Sequence, residues 1–181
     1  MGYYVQSYLT DATKVKAIFG SKNQPFLTAV TKKLSDDLDD LDDTFSDQTD
    51  DKKNATQVLT DIVNGEVRFP ELAFMYVYVY EKLVQVFGKL EFPPNDEYST
   101  DYYWDVEKDP YQTFFPLPVP ADFPEVYSIA NADLEEEKAR FLEPVSRKGL
   151  SDEDFEVEKG DFEYIFNKAI EEKKDLVFFV Y

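Results

Sequence analysis

From Phe26 the apolar positions Phe26, Val30, Leu34, Leu38, Leu41 and Phe45 follow one another at intervals of 4, 4, 4, 3 and 4. That spacing places them on one helical face. Between and beyond them runs SDDLDDLDDTFSDQTDD, residues 35 to 51, with nine aspartates and no basic residue. Two helical readings of this stretch differ in cost. A single helix from about Phe26 to Phe45 would crowd the aspartates at its C-terminal end, against the helix dipole and with like charges at i,i+3 and i,i+4. With Ser35 as an N-cap, Asp36 and Asp37 fall in a favourable first turn and a new apolar face begins at Leu38. The second reading carries less strain, so a break near Ser35 is expected, with Leu38, Leu41 and Phe45 facing the core.

The same pass predicts the other elements. YYVQSYL, residues 3 to 9, reads as a strand, and Asp11 reads as the N-cap of a short helix carrying Val15, Ile18 and Phe19 and ended by Gly20. A helix is expected over 55 to 63, stopping near Gly65. Residues 70 to 88 contain nine consecutive apolar residues, Leu72 to Tyr80, but Pro70 at the start and Gly88 just past the end favour a helix over a strand. Its face is Ala73, Tyr76, Val77, Tyr80, Val84 and Phe87. Tyr76, Tyr78 and Tyr80 read as core and its boundary.

Residues 91 to 127 hold seven of the ten prolines and ten aromatics, an ordered excursion without regular structure and a place to look for function. A helix over 134 to 142 follows. A second helix begins at Asp161, carries Phe162, Ile165, Phe166, Ala169 and Ile170 on one face, and ends in Lys173 and Lys174, which suit the dipole. The closing DLVFFVY is apolar on both faces and reads as an interior strand paired with the N-terminal one. The expected fold is α+β, several amphipathic helices packed on a small sheet that includes the N-terminal and C-terminal strands, in a single domain over 1–181.

Composition narrows the chemistry. The chain has no cysteine and no histidine, which removes disulfides, thiolate nucleophiles, His-based triads and the usual zinc and iron ligand sets. Six glycines form neither a GxGxxG nor a phosphate-binding loop. No window of the aspartate run has the glycine and glutamate positions of a calcium loop, and exposed aspartates near their ordinary pKa are poor general acids at neutral pH. The residues therefore name no catalytic set, no metal site and no cofactor, and point away from an enzyme.

The net charge of −19 opposes direct binding to nucleic acid and attracts a basic protein. Sixteen lysines against three arginines argue against salt adaptation as its cause. The opening MGYYVQSYLT has no basic n-region and no apolar h-region, and no run reaches the roughly 18 apolar residues of a membrane span. A cytoplasmic protein without a membrane anchor is expected, its oligomeric state left open.

Two stretches are candidate sites. Asp36, Asp37, Asp39, Asp40, Asp42 and Asp43 form a docking face for a basic partner, or else a solvated helix surface whose charge serves only solubility. DYYWD, with Asp101, Tyr102, Tyr103, Trp104 and Asp105, offers aromatic faces flanked by carboxylates for a small ligand or an enzymatic site, or else packs a long loop into the core.

The opening GYYVQSYLTD with a following IFGSK, the segment FPLPVPADFP and the ending EEKKDLVFFVY together resemble an uncharacterised family of small acidic bacterial proteins. More distantly, the strand at the start and the helix leading into an apolar last strand resemble the YfbM-like family, which implies an α+β fold. Families of this kind include bacterial toxin-neutralising and other interaction proteins, so the resemblance favours binding; an acidic surface centred on Asp36 to Asp43 would then engage a basic partner as an immunity protein or nucleic-acid mimic does.

Overall fold

The computed structural model describes residues 4–93, 111–121, 124–142 and 151–181. Its elements in chain order are β1 (Val5–Thr10), α1 (Ala12–Lys16), α2 (Gln24–Lys33), α3 (Ser35–Thr44), α4 (Ala55–Asn64), α5 (Ala73–Phe87), β2 (Lys89–Glu91), β3 (Tyr111–Gln112), β4 (Glu125–Ile129), α6 (Leu134–Leu142), α7 (Asp152–Glu172) and β5 (Asp175–Val180). The class is α+β, as the residue pattern predicts. Two compact units share the chain, one from Met1–Ala12, Gly88–Gln112 and Glu125–Tyr181, the other from Thr13–Phe87 and Thr113–Pro124.

The first unit is built on a five-stranded sheet of order β2-β1-β5-β4-β3. β5 is central and antiparallel to both neighbours, with Val5 opposite Val180 and Glu125 opposite Val180 on the other side. Leu176 through Val180 are all buried, which is why a strand apolar on both faces belongs there. The pairing of β5 with β1 is the one expected for the chain's first and last strands. At the start of β5 the Asp175 carboxylate accepts the Ala12 N–H at 2.6 Å and the Asn131 N–H at 2.9 Å, so one side chain ties down the exits of both flanking strands.

One face of this sheet is covered by α6 and α7. Phe178 meets the rings of Phe141, Phe162 and Phe166 at centroid distances of 5.8, 5.6 and 5.9 Å, and Tyr127 meets Phe141 at 5.3 Å. Gly88 is required where β2 leaves α5, since a Cβ there would lie 2.5 Å from the Leu9 carbonyl oxygen.

Three expectations need correction. The helix expected from Asp161 begins at Asp152, and Asp161 is a buried position inside it. The signal was present in Ser151-Asp152-Glu153-Asp154, a capping residue followed by an acidic first turn. Within 91 to 127 the chain supplies β3, β4 and the end of β2; β2 and β3 are three and two residues long, too short for period-two alternation to register. The break between α2 and α3 is real, but Leu34 is the cap residue, at φ −100° and ψ 12°, and no side chain caps α3. Leu34 is chosen because it is apolar and buried, while Ser35 Oγ donates back to the Lys32 carbonyl at 3.3 Å.

The second unit packs α2, α3, α4 and α5. α5 is buried on nearly every side, including Met75, Tyr76, Val77, Val79, Tyr80, Leu83 and Val84, which explains its unbroken apolar run. Asn54 caps α4 through its Oδ1, which accepts the Gln57 N–H at 2.9 Å, and Gly65 closes the helix at φ 74°. The Glu66 N–H reaches back to the Asp61 carbonyl at 2.9 Å and the Gly65 N–H to Ile62 at 3.1 Å, the paired bonds of a left-handed helix stop. The returning segment is pinned by Phe115, whose ring stacks on Phe19 at 5.2 Å and meets Tyr80 edge-on at 5.2 Å. Among the described residues, no helix is long and apolar enough to cross a membrane.

Candidate functional site

α3 is ten residues long and six of them are aspartate. At about 100° per residue, its buried stripe is Leu38 and Leu41, and the aspartates divide by their angle to that stripe. Asp36, Asp39, Asp40 and Asp43 are exposed and fall within an arc of about 100° on the side away from the stripe. Asp37 and Asp42 border the stripe on either side, where neighbouring helices reach them.

Asp37 faces α5. Its Oδ1 accepts a hydrogen bond from Lys82 Nζ at 2.8 Å. Asp42 faces α4. Its Oδ1 accepts the Ala55 N–H at 2.8 Å, satisfying one of the first-turn donors that a helix leaves unpaired. Burial pushes the Asp42 carboxyl above the usual carboxylate range, the Ala55 bond pulls it down, and the charges of Asp39 and Asp43 push it up again. Thr49 Oγ1 donates to the carbonyls of Asp42 at 3.3 Å and Phe45 at 3.1 Å, closing the end of α3.

The rest of the acidic run serves the turn between α3 and α4. Asp50 Oδ1 accepts the N–H groups of Lys52 at 2.7 Å and Lys53 at 2.9 Å, and these bonds hold its exposed carboxyl below the ordinary value. At the C-terminal end of α3 the Phe45 ring sits 4.7 Å from Phe74 and 5.2 Å from Tyr78, so half-buried aromatics from α5 adjoin the acidic helix.

The six predicted aspartates are thus brought onto one helix but not into one role. Four form an exposed acidic arc, and among the described residues no basic side chain lies within ion-pair distance of them. Two are fastened to the fold. Sequence reasoning missed Lys82, although it is the one basic residue between 70 and 88, and a lone lysine on an otherwise apolar helix asks for a partner. It could not have found the Ala55 N–H, a backbone group that α4 brings to Asp42. Among the described residues, no three acidic side chains converge as a metal-ligand set. The other candidate stretch, Asp101, Tyr102, Tyr103, Trp104 and Asp105, lies outside the described residues.

A second cluster of chemically competent groups lies at the far end of α4. Asp61 is fully buried and accepts from the Tyr76 hydroxyl at 2.6 Å and the Arg68 N–H at 3.1 Å, and its other oxygen is paired with Arg68 Nε. Burial, and the bond it donates to Asp61, hold the Tyr76 hydroxyl far above its ordinary value, so it stays neutral. The carboxylate and the hydroxyl each bond another member of the set, and the half-exposed Arg68 guanidinium also donates to Gln57 Oε1 at 3.3 Å. The cluster is a latch for the turn after α4.

No curated protein and no solved structure shows significant similarity to the chain. Over residues 1–181 it matches the family described as a domain of unknown function, DUF7691, and it belongs to that family.

Proposed function

We propose that the protein is a cytoplasmic binding protein that presents the outer face of α3 to a basic protein partner, in the manner of an immunity protein or a nucleic-acid mimic. The observation that carries this reading is the arc of four carboxylates, Asp36, Asp39, Asp40 and Asp43, exposed on one side of a helix whose opposite side is buried. A net charge of −19 adds long-range attraction for a cationic surface and repels phosphate backbones. Asp37 and Asp42 support the face from behind rather than meeting the partner, since each already has a partner within the fold.

The test is a comparative capture experiment. Wild type and the D36N/D39N/D40N/D43N variant, shown by circular dichroism to have the same fold, are immobilised and exposed to native-host lysate at low and at moderately high salt. A basic protein retained by the wild type, released by salt and lost with the variant supports the docking face. Equal retention by both proteins returns the arc to a solubilising surface.

A further inference from the structure

Asp42 stands where the exposed arc of α3 meets its packed side. Its Oδ1 accepts the Ala55 N–H at 2.8 Å, and Asn54 Oδ1 accepts the Gln57 N–H at 2.9 Å. The first turn of α4 is therefore capped twice, once by its own N-cap residue and once by a carboxylate from α3. On α3 itself Asp42 is flanked by Asp39, three residues before it, and by Asp43, the next residue; both are exposed, and both bear on its carboxyl. Among the described residues no basic side chain lies within ion-pair distance of Asp39, Asp42 or Asp43. The anchor that seats α3 on α4 is thus an ionised acceptor opposed by two neighbouring charges of its own sign.

We propose that Asp42 relays the charge state of the exposed arc to the seat of α3 on α4, so that neutralising Asp39 and Asp43 tightens the Ala55 cap and fastens the two helices together. The physical basis is that a hydrogen bond to an ionised carboxylate is stronger than a neutral one, and removing nearby negative charge lowers the cost of keeping that carboxylate ionised where it is half buried. Coupling of this kind is reciprocal: a cation bound on the arc strengthens the cap, and an intact cap favours the cation. The coupling stands on the geometry of α3 and α4 and needs no partner; under the docking reading, the partner's cations are what neutralises the arc. Failure of the capture experiment leaves the coupling intact, and failure of the coupling leaves capture intact.

The experiment follows the exchange rate of the Ala55 amide proton by NMR in the full chain, near neutral pH and at low ionic strength. Four proteins are compared: wild type, D39N/D43N, D42N and D39N/D42N/D43N. Ala55 is remote in sequence from every substitution, so its intrinsic exchange rate is unchanged. D39N/D43N is expected to slow exchange about 1.4- to 2.3-fold, the size of the one like-charge i,i+3 pair with Asp42 relieved, while the same pair of substitutions made on D42N slows it much less. Added salt is expected to reproduce the slowing in wild type and to have less effect in D39N/D43N. Equal slowing on both backgrounds would assign the effect to repulsion along α3 alone, and no slowing on either would remove the coupling; each of those results overturns the proposal.

Discussion

Lys82 on α5 holds Asp37 on α3 through a 2.8 Å hydrogen-bonded ion pair, and this contact separates the structural aspartates of the run from the exposed ones. Because Asp37 borders the buried Leu38 and Leu41 stripe, the pair ties one edge of a highly charged helix to a largely buried helix of the same unit.

Removing either partner should loosen α3 without unfolding the protein. The pair is partly exposed, so screening limits its worth to about 0.5–1 kcal/mol. Lys82→Met, which keeps the aliphatic stem, is expected to lower stability by that amount in urea titrations, and Asp37→Asn by no more. In a double-mutant cycle the two losses should be less than additive; strict additivity would mean the pair contributes nothing.

Asp42 allows a pH prediction. Burial is the leading cause that holds its carboxyl above the usual range, so the folded protein binds a proton there more readily than the unfolded chain does. Its contribution to stability is then fullest below the ordinary carboxylate value and is lost as pH rises through the folded one. Asp42→Asn keeps an acceptor for the Ala55 N–H and carries no charge, so it should stay near wild type at neutral pH. Asp42→Ala, which removes the cap, should cost about 1 kcal/mol. As pH falls from 7 toward 4, wild type should gain stability relative to Asp42→Asn; denaturant midpoints across that range check the sign.

The latch at Asp61 predicts a larger effect. Arg68→Ala leaves a fully buried carboxylate without its cation, and such losses run to several kcal/mol, reduced here because the arginine is half exposed. A drop of about 2–3 kcal/mol is expected. Tyr76→Phe, which removes only the 2.6 Å hydroxyl bond, should cost about 1–2 kcal/mol. If Tyr76→Phe proves the more damaging by thermal denaturation, the hydroxyl rather than the ion pair holds the turn.

Among the described residues, two helices end in the same left-handed stop, and one of them uses lysine rather than glycine for it. α4 closes on Gly65 at φ 74°, whereas α7 closes on Lys173 at φ 53°, with the Lys174 N–H bonded to the Ala169 carbonyl at 2.9 Å and the Lys173 N–H to Ile170 at 3.1 Å. A side chain in that conformation costs about 1 kcal/mol that glycine does not. Lys173→Gly should therefore raise stability by up to about 1 kcal/mol, read as an increased melting temperature. Gly65→Ala should lower it, since a Cβ there would lie 2.8 Å from the Gly20 Cα.

Local chemistry was enough for several elements. The bounds of α4 follow from Asn54 and Gly65, α6 has the bounds expected for it, and the doubly apolar DLVFFV could only be an interior strand, which it is, beside the chain's first strand. The interruption between α2 and α3 was also written in the sequence, because a continuous helix would have placed six aspartates against its own dipole. Each of these rests on interactions among residues close in the chain, or on burial that a short run of side chains demands by itself.

Tertiary structure decided the rest. β2 and β3 are strands because β1 and β4 lie beside them; three and two residues carry no pattern of their own. The aspartates of α3 are chemically identical in sequence, and only the positions of Lys82 and of the first turn of α4 make Asp37 and Asp42 anchors while leaving Asp36, Asp39, Asp40 and Asp43 in water. The sequence by itself determined that a helix here would carry a dense negative charge on a thin apolar stripe. Which charges meet a partner inside the fold depends on groups 45 and 13 residues away, and only the packing of α4 and α5 beside α3 brings them there.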